Sequence, residues 1–532
     1  MMEVTERVIA ALVTALILCV STTKLLGAMQ QSGYKNGGFL RWLRRKDNLY
    51  FNRLSVLALC LALATTVTAL CFSFLGVKAA LLCSAVPFFI LLILYAFADG
   101  KYALKVPVTY TGRVKRLFAG YFFFVACTAY ILIALLGFLS AWNGSELYGL
   151  IAYAPFALMP ILAPFLLCTA NAVTGVFENA RNRKFVRRAG EKLAKTEIIR
   201  VGVVGSFGKT SVKNILKTIL AEKYTVVETP ESFNTPMGIA KTVFSPEFEK
   251  KQVFIAEMGA RKSGDIKELC SLVQPDYAVF TGVCEQHIQT FGCIENIFKE
   301  KSEILWSVKK KAVCGTGLKA FAEAFSENER VVFIGGETAE TQLRATETSF
   351  TLLLGGESIQ VTTPLLGKMA VENITLSARL ALEMGLTAEE IANGIGKLQP
   401  IAHRLQLLEN GGVYILDDGY NCNPKGAKEG IEALRRFAGR KCIVTPGIVE
   451  CGVLEEKVNG ELGATIAEAE LDKIILVGDT LVGAVKSGYE NANGDKEKVS
   501  TVKTLSEAQA LLSKWLTAGD AVLFLNDLPD VY

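Results

Sequence analysis

The stretch from Gly205 to Ser211 reads GSFGKTS and combines the groups that a phosphate site needs. Glycines let backbone N–H groups approach phosphate oxygens, and the start of a following helix favours negative charge. Lys209 would place a positive charge beside the outer phosphates, and the Thr210 hydroxyl would bind Mg²⁺. Because Val203 stands where the strict Walker pattern has its first glycine, the loop is a shorter variant. The candidate nucleotide-binding residues of the loop are Gly205, Ser206, Gly208, Lys209, Thr210 and Ser211.

Three side chains further along could complete such a site. Glu257 ends the apolar run QVFIAE, and a carboxylate at the end of a parallel strand is well placed to bind a metal. His287, one of only two histidines, follows the apolar run 277–283. A lone histidine is often structural, but this position favours a metal or phosphate role. Lys301 lies on the next predicted helix, where an ordinary solvated lysine is the alternative.

The elements that must position these residues follow from the hydrophobic pattern. We predict a doubly wound P-loop α/β domain over 197–400 and a smaller Rossmann-like α/β domain over 401–532, with the nucleotide in the cleft between them. The second domain should have strands near 412–417, 441–445, 473–477 and 521–525, and helices near 426–438 and 505–516.

The first third of the chain has a different composition. Hydrophobic residues make up 51% of the 532 residues, and they crowd this region. Spanning a bilayer takes about 20 apolar helical residues, and five runs are long enough, near 8–28, 54–76, 79–98, 117–139 and 147–173. Basic residues concentrate in alternate loops, so the positive-inside rule predicts an outside N-terminus and a cytoplasmic location for everything after about residue 175.

We therefore predict an α-helical membrane bundle over 1–175, followed by a basic juxtamembrane linker helix over 176–196 that lies against membrane lipid. The bundle serves as an anchor, or it binds a lipid-linked substrate or a partner protein. The spans lack the buried acidic and histidine residues of a proton or ion pathway. This argues against a transport ATPase, as does the lack of an LSGGQ-like segment after the phosphate loop.

Other function classes are disfavoured by charge and by cysteine spacing. The net charge of +5 is modest, and the basic residues flank apolar runs, so no nucleic-acid partner is expected. The 13 cysteines include no CxxC pair, and six lie inside apolar runs. We read the remaining ones as reduced cytosolic thiols rather than as a disulfide framework or a zinc site.

Several motifs, in this order along the chain, resemble the Mur ligases of bacterial peptidoglycan synthesis. They are GSFGKTS, EMG, EQHIQTFGCIENIFKEKSEI, HRLQLLENGG and ILDDGYNCNP. The resemblance covers roughly 197–530 and is strongest to the branch that adds D-alanyl-D-alanine to UDP-MurNAc-tripeptide. It implies an enzyme that uses ATP and Mg²⁺ to join a carboxylate to an amine through an acyl phosphate.

The resemblance also implies roles for individual residues. Thr210 and Glu257 would hold one Mg²⁺, His287 would lie near a second, and Lys301 would be carbamylated by CO₂. The residues implied to act catalytically are Lys209, Lys301, His287 and Arg404. Those implied to contact ATP outside the loop are Asn234, Asn373, Arg404, Asp418, Tyr420 and Asn421, with Asn423 and Pro424 in the same motif.

Three departures from the family pattern leave the substrates open. A membrane bundle replaces the UDP-binding domain, GIVECG replaces an ELG-type stretch at 447–452, and the chain ends in LNDLPDVY. We predict a plasma-membrane ligase that joins a cell-wall precursor, soluble or lipid-linked, to an amino acid or dipeptide. The alternatives are a poly-γ-glutamate-type ligase and, from another class, a nucleotide-binding scaffold without catalysis.

Overall fold

The computed structural model describes residues 4–44, 50–100, 108–143, 154–284, 291–420, 422–449, 451 and 454–526. The chain divides into two compact units, of which the first comprises Met1–Arg183 and the second Lys184–Leu528. The first unit contains helices and no strand among its described residues, and the second contains three β-sheets with helices around them.

Four helices are long and apolar enough to cross a membrane, namely Val4–Ser21, Tyr50–Cys71, Gly112–Leu135 and Phe156–Lys195. A shorter apolar helix covers Cys83–Phe97. Among the described residues of this region, the helices are Val4–Ser21, Thr23–Gln31, Asn36–Leu43, Tyr50–Cys71, Val77–Gly100, Gly112–Asn143 and Met159–Lys195, with 3₁₀ turns at Ser73–Leu75 and Ala154–Leu158. Four of the five predicted runs overlap these long apolar helices, and the fifth, 79–98, overlaps the shorter helix Cys83–Phe97. The count of five spans therefore stays a prediction.

Two details of this region differ from the sequence pattern. The first predicted run is interrupted at Thr22, which has φ −110° and ψ 24° and separates two helices. The Thr22 hydroxyl lies 2.7 Å from the Leu18 carbonyl oxygen and 2.9 Å from the Tyr121 hydroxyl, and these contacts hold the break in place. The predicted linker at 176–196 is the C-terminal part of the long helix Met159–Lys195.

The central domain is built on a parallel six-stranded sheet in the order β2-β3-β1-β4-β5-β6, which confirms the predicted doubly wound architecture. Its strands are β1 Ile199–Val204, β2 Val226–Glu228, β3 Val253–Glu257, β4 Tyr277–Phe280, β5 Lys311–Cys314 and β6 Val331–Phe333. Its helices are Lys209–Leu220, Pro236–Val243, Asp265–Val273, Ile294–Ser307, Lys368–Glu383 and Ala388–Gly396, with 3₁₀ turns at Pro246–Phe248 and Thr316–Phe325. The register pairs Val203 of β1 with Glu257 of β3, so the phosphate loop and this carboxylate lie at one sheet edge.

A small antiparallel sheet that the sequence pattern did not predict lies within this domain. It consists of β7 Thr338–Leu343, β8 Thr348–Leu354 and β9 Glu357–Thr363, in that order. The polar and largely exposed β7 carries no apolar signal of its own. Its pairing with β8 is what makes it a strand.

The C-terminal domain is a second six-stranded sheet, in the order β10-β11-β15-β12-β13-β14. The strands are β10 Gln406–Asn410, β11 Val413–Asp418, β12 Lys441–Thr445, β13 Lys473–Val477, β14 Val499–Val502 and β15 Ala521–Leu525. The helices are Pro424–Arg435, Glu455–Glu468, Val482–Asn491 and Leu505–Trp515, with a 3₁₀ turn at Lys496–Lys498. All four predicted strands are present, and two others, β10 and β14, were not predicted. The β10–β11 pair is antiparallel, which makes this sheet mixed.

Candidate functional site

The loop between β1 and the helix Lys209–Leu220 has a backbone path that only glycine fits. Gly208 has φ +72°, and a Cβ atom there would stand 2.8 Å from the Asn373 side-chain oxygen. A Cβ on Gly205 would collide with the Thr281 hydroxyl at the end of β4. The two glycines therefore let the loop pack closely against its neighbours. The same contact places Asn373, which was predicted near the nucleotide, beside the loop.

Two lysine amines meet at this loop. The Nζ atoms of Lys209 and Lys301 donate to the same carbonyl oxygen, that of Gly205, at 2.8 and 3.1 Å. Lys301 is 2% exposed, and burial, together with the neighbouring Lys209 charge, lowers its pKa to about 7. Burial also lowers the pKa of Lys209. The buried Ser206 hydroxyl has no hydrogen-bond partner among the described residues. The Lys209 amine and the free Ser206 hydroxyl fit the oxygens of a phosphate chain.

A carboxylate and a hydroxyl converge on the other side of the loop. Glu257 is 1% exposed, and its Oε2 atom accepts a 3.0 Å hydrogen bond from the Thr210 hydroxyl. Its Oε1 atom accepts from the Asn234 amide at 3.3 Å. Adjacent carboxylate and hydroxyl oxygens suit Mg²⁺, which usually takes one or two protein oxygens together with waters and substrate phosphates. Across the part of the chain that the structure describes, no cluster of three His, Cys, Asp or Glu residues offers a self-sufficient metal cage.

Side chains of the C-terminal domain reach the same place. The Arg404 guanidinium donates to the Thr210 hydroxyl at 3.4 Å and to the Tyr420 carbonyl at 3.2 Å. It also stacks 4.3 Å from the centre of the Tyr420 ring. The Tyr420 hydroxyl in turn donates to Ser232 of the central domain at 2.6 Å. The cleft between the domains is thus bridged directly at the phosphate loop.

The motif that follows β11 supports this bridge. Asp418 accepts a 3.1 Å hydrogen bond from the Leu405 backbone, and burial raises the pKa of this carboxyl to about 6 although Leu405 and Arg404 oppose the shift. The Asn423 side chain accepts from the Gly426 backbone at 3.0 Å. Asn423 therefore caps the helix Pro424–Arg435, which is a structural task within the motif.

The structure brings most of the sequence-predicted site residues together. Ser211 lies half-buried in the first turn of the helix Lys209–Leu220. His287 and Asn421 lie outside the described residues. Sequence reasoning missed Lys213, whose amine stands 3.6 Å from Glu257 Oε2. Its signal was a second lysine four positions after Lys209, which is the spacing that puts two side chains on one helix face.

Comparison with known proteins matches each of the two domains to a family model. Residues 203–381 match the family model of the Mur ligase middle domain, and residues 403–526 match that of the Mur ligase glutamate ligase domain. The UDP-N-acetylmuramoyl-tripeptide–D-alanyl-D-alanine ligase of Bacillus subtilis (strain 168) is 28% identical over 331 residues, which cover 61% of this chain and 72% of the relative.

Solved structures show the same relationship. The structure of MurF from Acinetobacter baumannii has a TM-score of 0.60 at 23% identity and covers 66% of this chain and 78% of its own, a likeness of fold alone. The structure of MurF ligase from Thermotoga maritima in complex with ADP has a TM-score of 0.58 at 26% identity, over 66% of this chain and 81% of its own. Residues before 203 lie outside both family models.

Proposed function

This chain belongs to the Mur ligase family of ATP-dependent amide-bond-forming ligases, and from that premise we propose that it joins D-alanyl-D-alanine to a tripeptide-bearing peptidoglycan precursor. The observation that carries the proposal is the convergence at one phosphate loop of Lys209 and Lys301, the Thr210–Glu257 pair, and Arg404 from the other domain. The relatives with this domain pair include D-alanyl-D-alanine ligases, which supports the choice of amine.

The reaction has an electrostatic difficulty that these residues address. The acceptor carboxylate and the γ-phosphate of ATP are both anionic, so positive groups must offset their repulsion. Lys209 and the loop N–H groups bind the phosphates, and Arg404 adds its charge from the opposite domain. The carboxylate takes the γ-phosphoryl group, which gives an acyl phosphate and ADP. The amine then attacks the acyl carbon, and the amide forms as phosphate leaves.

The Thr210 hydroxyl and the Glu257 carboxylate would hold Mg²⁺, which fits their adjacent oxygens. When bound, the ion would offset the negative charge on the phosphoryl oxygens. We also assign His287 to a second ion, on the basis of its match to the family motif. Around the nucleotide, Asn234, Asn373, Asp418, Tyr420 and Asn421 complete the proposed ATP-side residues.

Lys301 fits carbamylation because a lysine whose pKa is about 7 holds much of its amine neutral. The neutral amine adds to CO₂ and releases one proton, which leaves an anionic carbamate. Near Mg²⁺ an anion is favourable, whereas an ammonium would repel the ion. We therefore propose that carbamylated Lys301 supports the metal site.

The first unit makes a membrane location part of the proposal. Its four long apolar helices support a multi-pass anchor in the plasma membrane, and the basic residues of the alternate loops support cytoplasmic catalytic domains. Because the family resemblance implies a UDP-binding domain in the place of these helices, a lipid-linked acceptor is included beside UDP-MurNAc-tripeptide. A poly-γ-glutamate-type acceptor is the remaining alternative.

The test uses the full chain in detergent with ATP, Mg²⁺ and a panel of acceptors and amines. Phosphate release and product mass are followed. We expect release that depends on both acceptor and amine, and a product heavier by the joined amine. Lys209→Ala should abolish it, whereas Lys217→Ala, on the exposed face of the same helix, should not. Undiminished turnover in Lys209→Ala would exclude this loop from the reaction.

A further inference from the structure

Lys213 is a fully buried charged residue beside the proposed metal carboxylate. It lies on the helix Lys209–Leu220 and is 1% exposed. Its ammonium stands 3.6 Å from Glu257 Oε2, the oxygen that also accepts the Thr210 hydroxyl. An isolated buried ammonium is strongly unfavourable, so a lysine stays in such a place only when oxygens surround it.

The other oxygens come from one short segment. The Lys213 amine donates to the backbone carbonyl of Thr229 at 2.7 Å and also to that of Glu231. Glu231 has φ +45°, a left-handed conformation that is unfavourable for residues other than glycine. The hydrogen bonds from the Lys213 amine therefore stabilise a turn whose backbone conformation is unfavourable.

This segment, residues 229–234, carries three of the contacts that assemble the site. Asn234 donates to Glu257 Oε1, and Ser232 accepts from Tyr420 of the C-terminal domain. The Thr229 hydroxyl accepts from the Glu257 backbone N–H at 3.1 Å. The Lys213 ammonium therefore contacts both the Glu257 carboxylate and the 229–234 segment. The same segment binds this carboxylate through Asn234 and contacts the C-terminal domain through Ser232.

We propose that Lys213 is a positioning residue that fixes the Glu257 carboxylate and the 229–234 segment in the arrangement that receives magnesium-bound nucleotide. In this role it acts through these partners rather than on the reacting groups. The inference rests on the proposed function for the identity of the ion and the nucleotide. Its geometry is independent of which acceptor and amine the enzyme uses.

The test measures binding of Mg²⁺–ADP to the full chain in detergent by calorimetry, together with the dependence of turnover on Mg²⁺. Lys213→Met should weaken Mg²⁺–ADP binding and raise the half-saturating Mg²⁺ concentration by about 10- to 100-fold, the usual loss when an outer partner of a metal ligand is removed. The KM for the amine should stay unchanged. Lys213→Arg, which keeps the charge but not the compact donor, should fall between Lys213→Met and the wild type.

Lys217→Met is the matched control, because Lys217 lies one turn later on the same helix and pairs with Glu228 at 47% exposure. It should leave both readouts unchanged. Wild-type Mg²⁺–ADP binding in a folded Lys213→Met variant would overturn the proposal. If that variant does not fold, Lys213→Gln takes its place, because it keeps an amide donor but removes the charge, and wild-type Mg²⁺–ADP binding in Lys213→Gln would overturn the proposal. Binding of Mg²⁺–ADP needs no acceptor, so the variants can be compared with the wild type even if the proposed ligation is not found.

Discussion

Lys301 should carry a carbamate, and replacing it with alanine should remove that group together with ligation. At about pH 7.5, a lysine of ordinary pKa near 10.5 has about 0.1% of its amine neutral, whereas one with a pKa of about 7 has about three-quarters neutral. Burial and the Lys209 charge therefore raise the fraction that reacts with CO₂ by roughly 700-fold. The modification follows from the position of this side chain rather than from lysine chemistry in general.

The assay is carbon-13 NMR of the full chain in detergent with labelled bicarbonate. The wild type should show a carbamate resonance that Lys301→Ala lacks. Lys299→Ala is the control, because Lys299 is exposed on the same helix. The spectrum of this variant should match that of the wild type. Ligation should be lost in Lys301→Ala and should return in part when a short carboxylate such as acetate is added.

The pH dependence has a definite sign. Protonation of Lys301 as the pH falls through about 7 removes the neutral amine, so the carbamate resonance should weaken below that pH. At limiting CO₂ the ligation rate should fall in parallel. Full activity of Lys301→Ala, or a labelled resonance that persists in it, would refute the reasoning.

The remaining predictions concern the fold, the loop and the membrane region. Asp520→Asn should destabilise the chain by about 2 kcal/mol, because its carboxylate accepts charged hydrogen bonds from Arg440. The difference in thermal unfolding should be complete above pH 3.8 and close as the pH falls through about 2, since Arg440 lowers the pKa of Asp520 to that value. Gly208→Ala should weaken ADP binding, because φ +72° costs alanine about 1–2 kcal/mol and the methyl group would meet the Asn373 oxygen; unchanged binding would contradict this. A reporter enzyme that works only in the cytoplasm should be active when it is fused within residues 35–53, which separate the first two predicted spans. If only a reporter that works outside the cytoplasm is active there, the predicted topology is reversed.

The parts of the site that lie at strand ends could be predicted from the sequence. An apolar run followed by glycines and a helical pattern placed Lys209 and Thr210, and a run ending in a carboxylate placed Glu257. These predictions worked because both strands are buried on both faces, so each reads as an uninterrupted apolar segment. The order of the parallel strands then brings their ends to one edge of the sheet.

The parts that depend on pairing and on chain path could not be predicted in this way. Strand β7 is polar and becomes a strand only through β8. Lys213 was not singled out from the sequence, because nothing in its own helix reveals the carbonyl oxygens of Thr229 and Glu231 that surround it. Periodicity describes the face that a residue occupies, but it does not describe which loop covers that face.

Residues 403–405, just before β10, show why Arg404 could be identified from its motif while the direction of its side chain could not be predicted. His403 and Leu405 on either side have φ +58° and +47°, and such backbone is costly for a bulky residue, so it persists only where surrounding contacts determine it. Those contacts come from the end of β11, where Asp417 holds the His403 ring at 2.8 Å and Asp418 accepts from the Leu405 N–H. The two strained residues therefore set the direction in which Arg404 leaves the chain, toward the Thr210 hydroxyl. Glycines at positions 403 and 405 would relieve this strain, but they would also let the Arg404 side chain adopt other directions. The unfavourable backbone therefore keeps the Arg404 charge in one place beside Thr210 of the central domain.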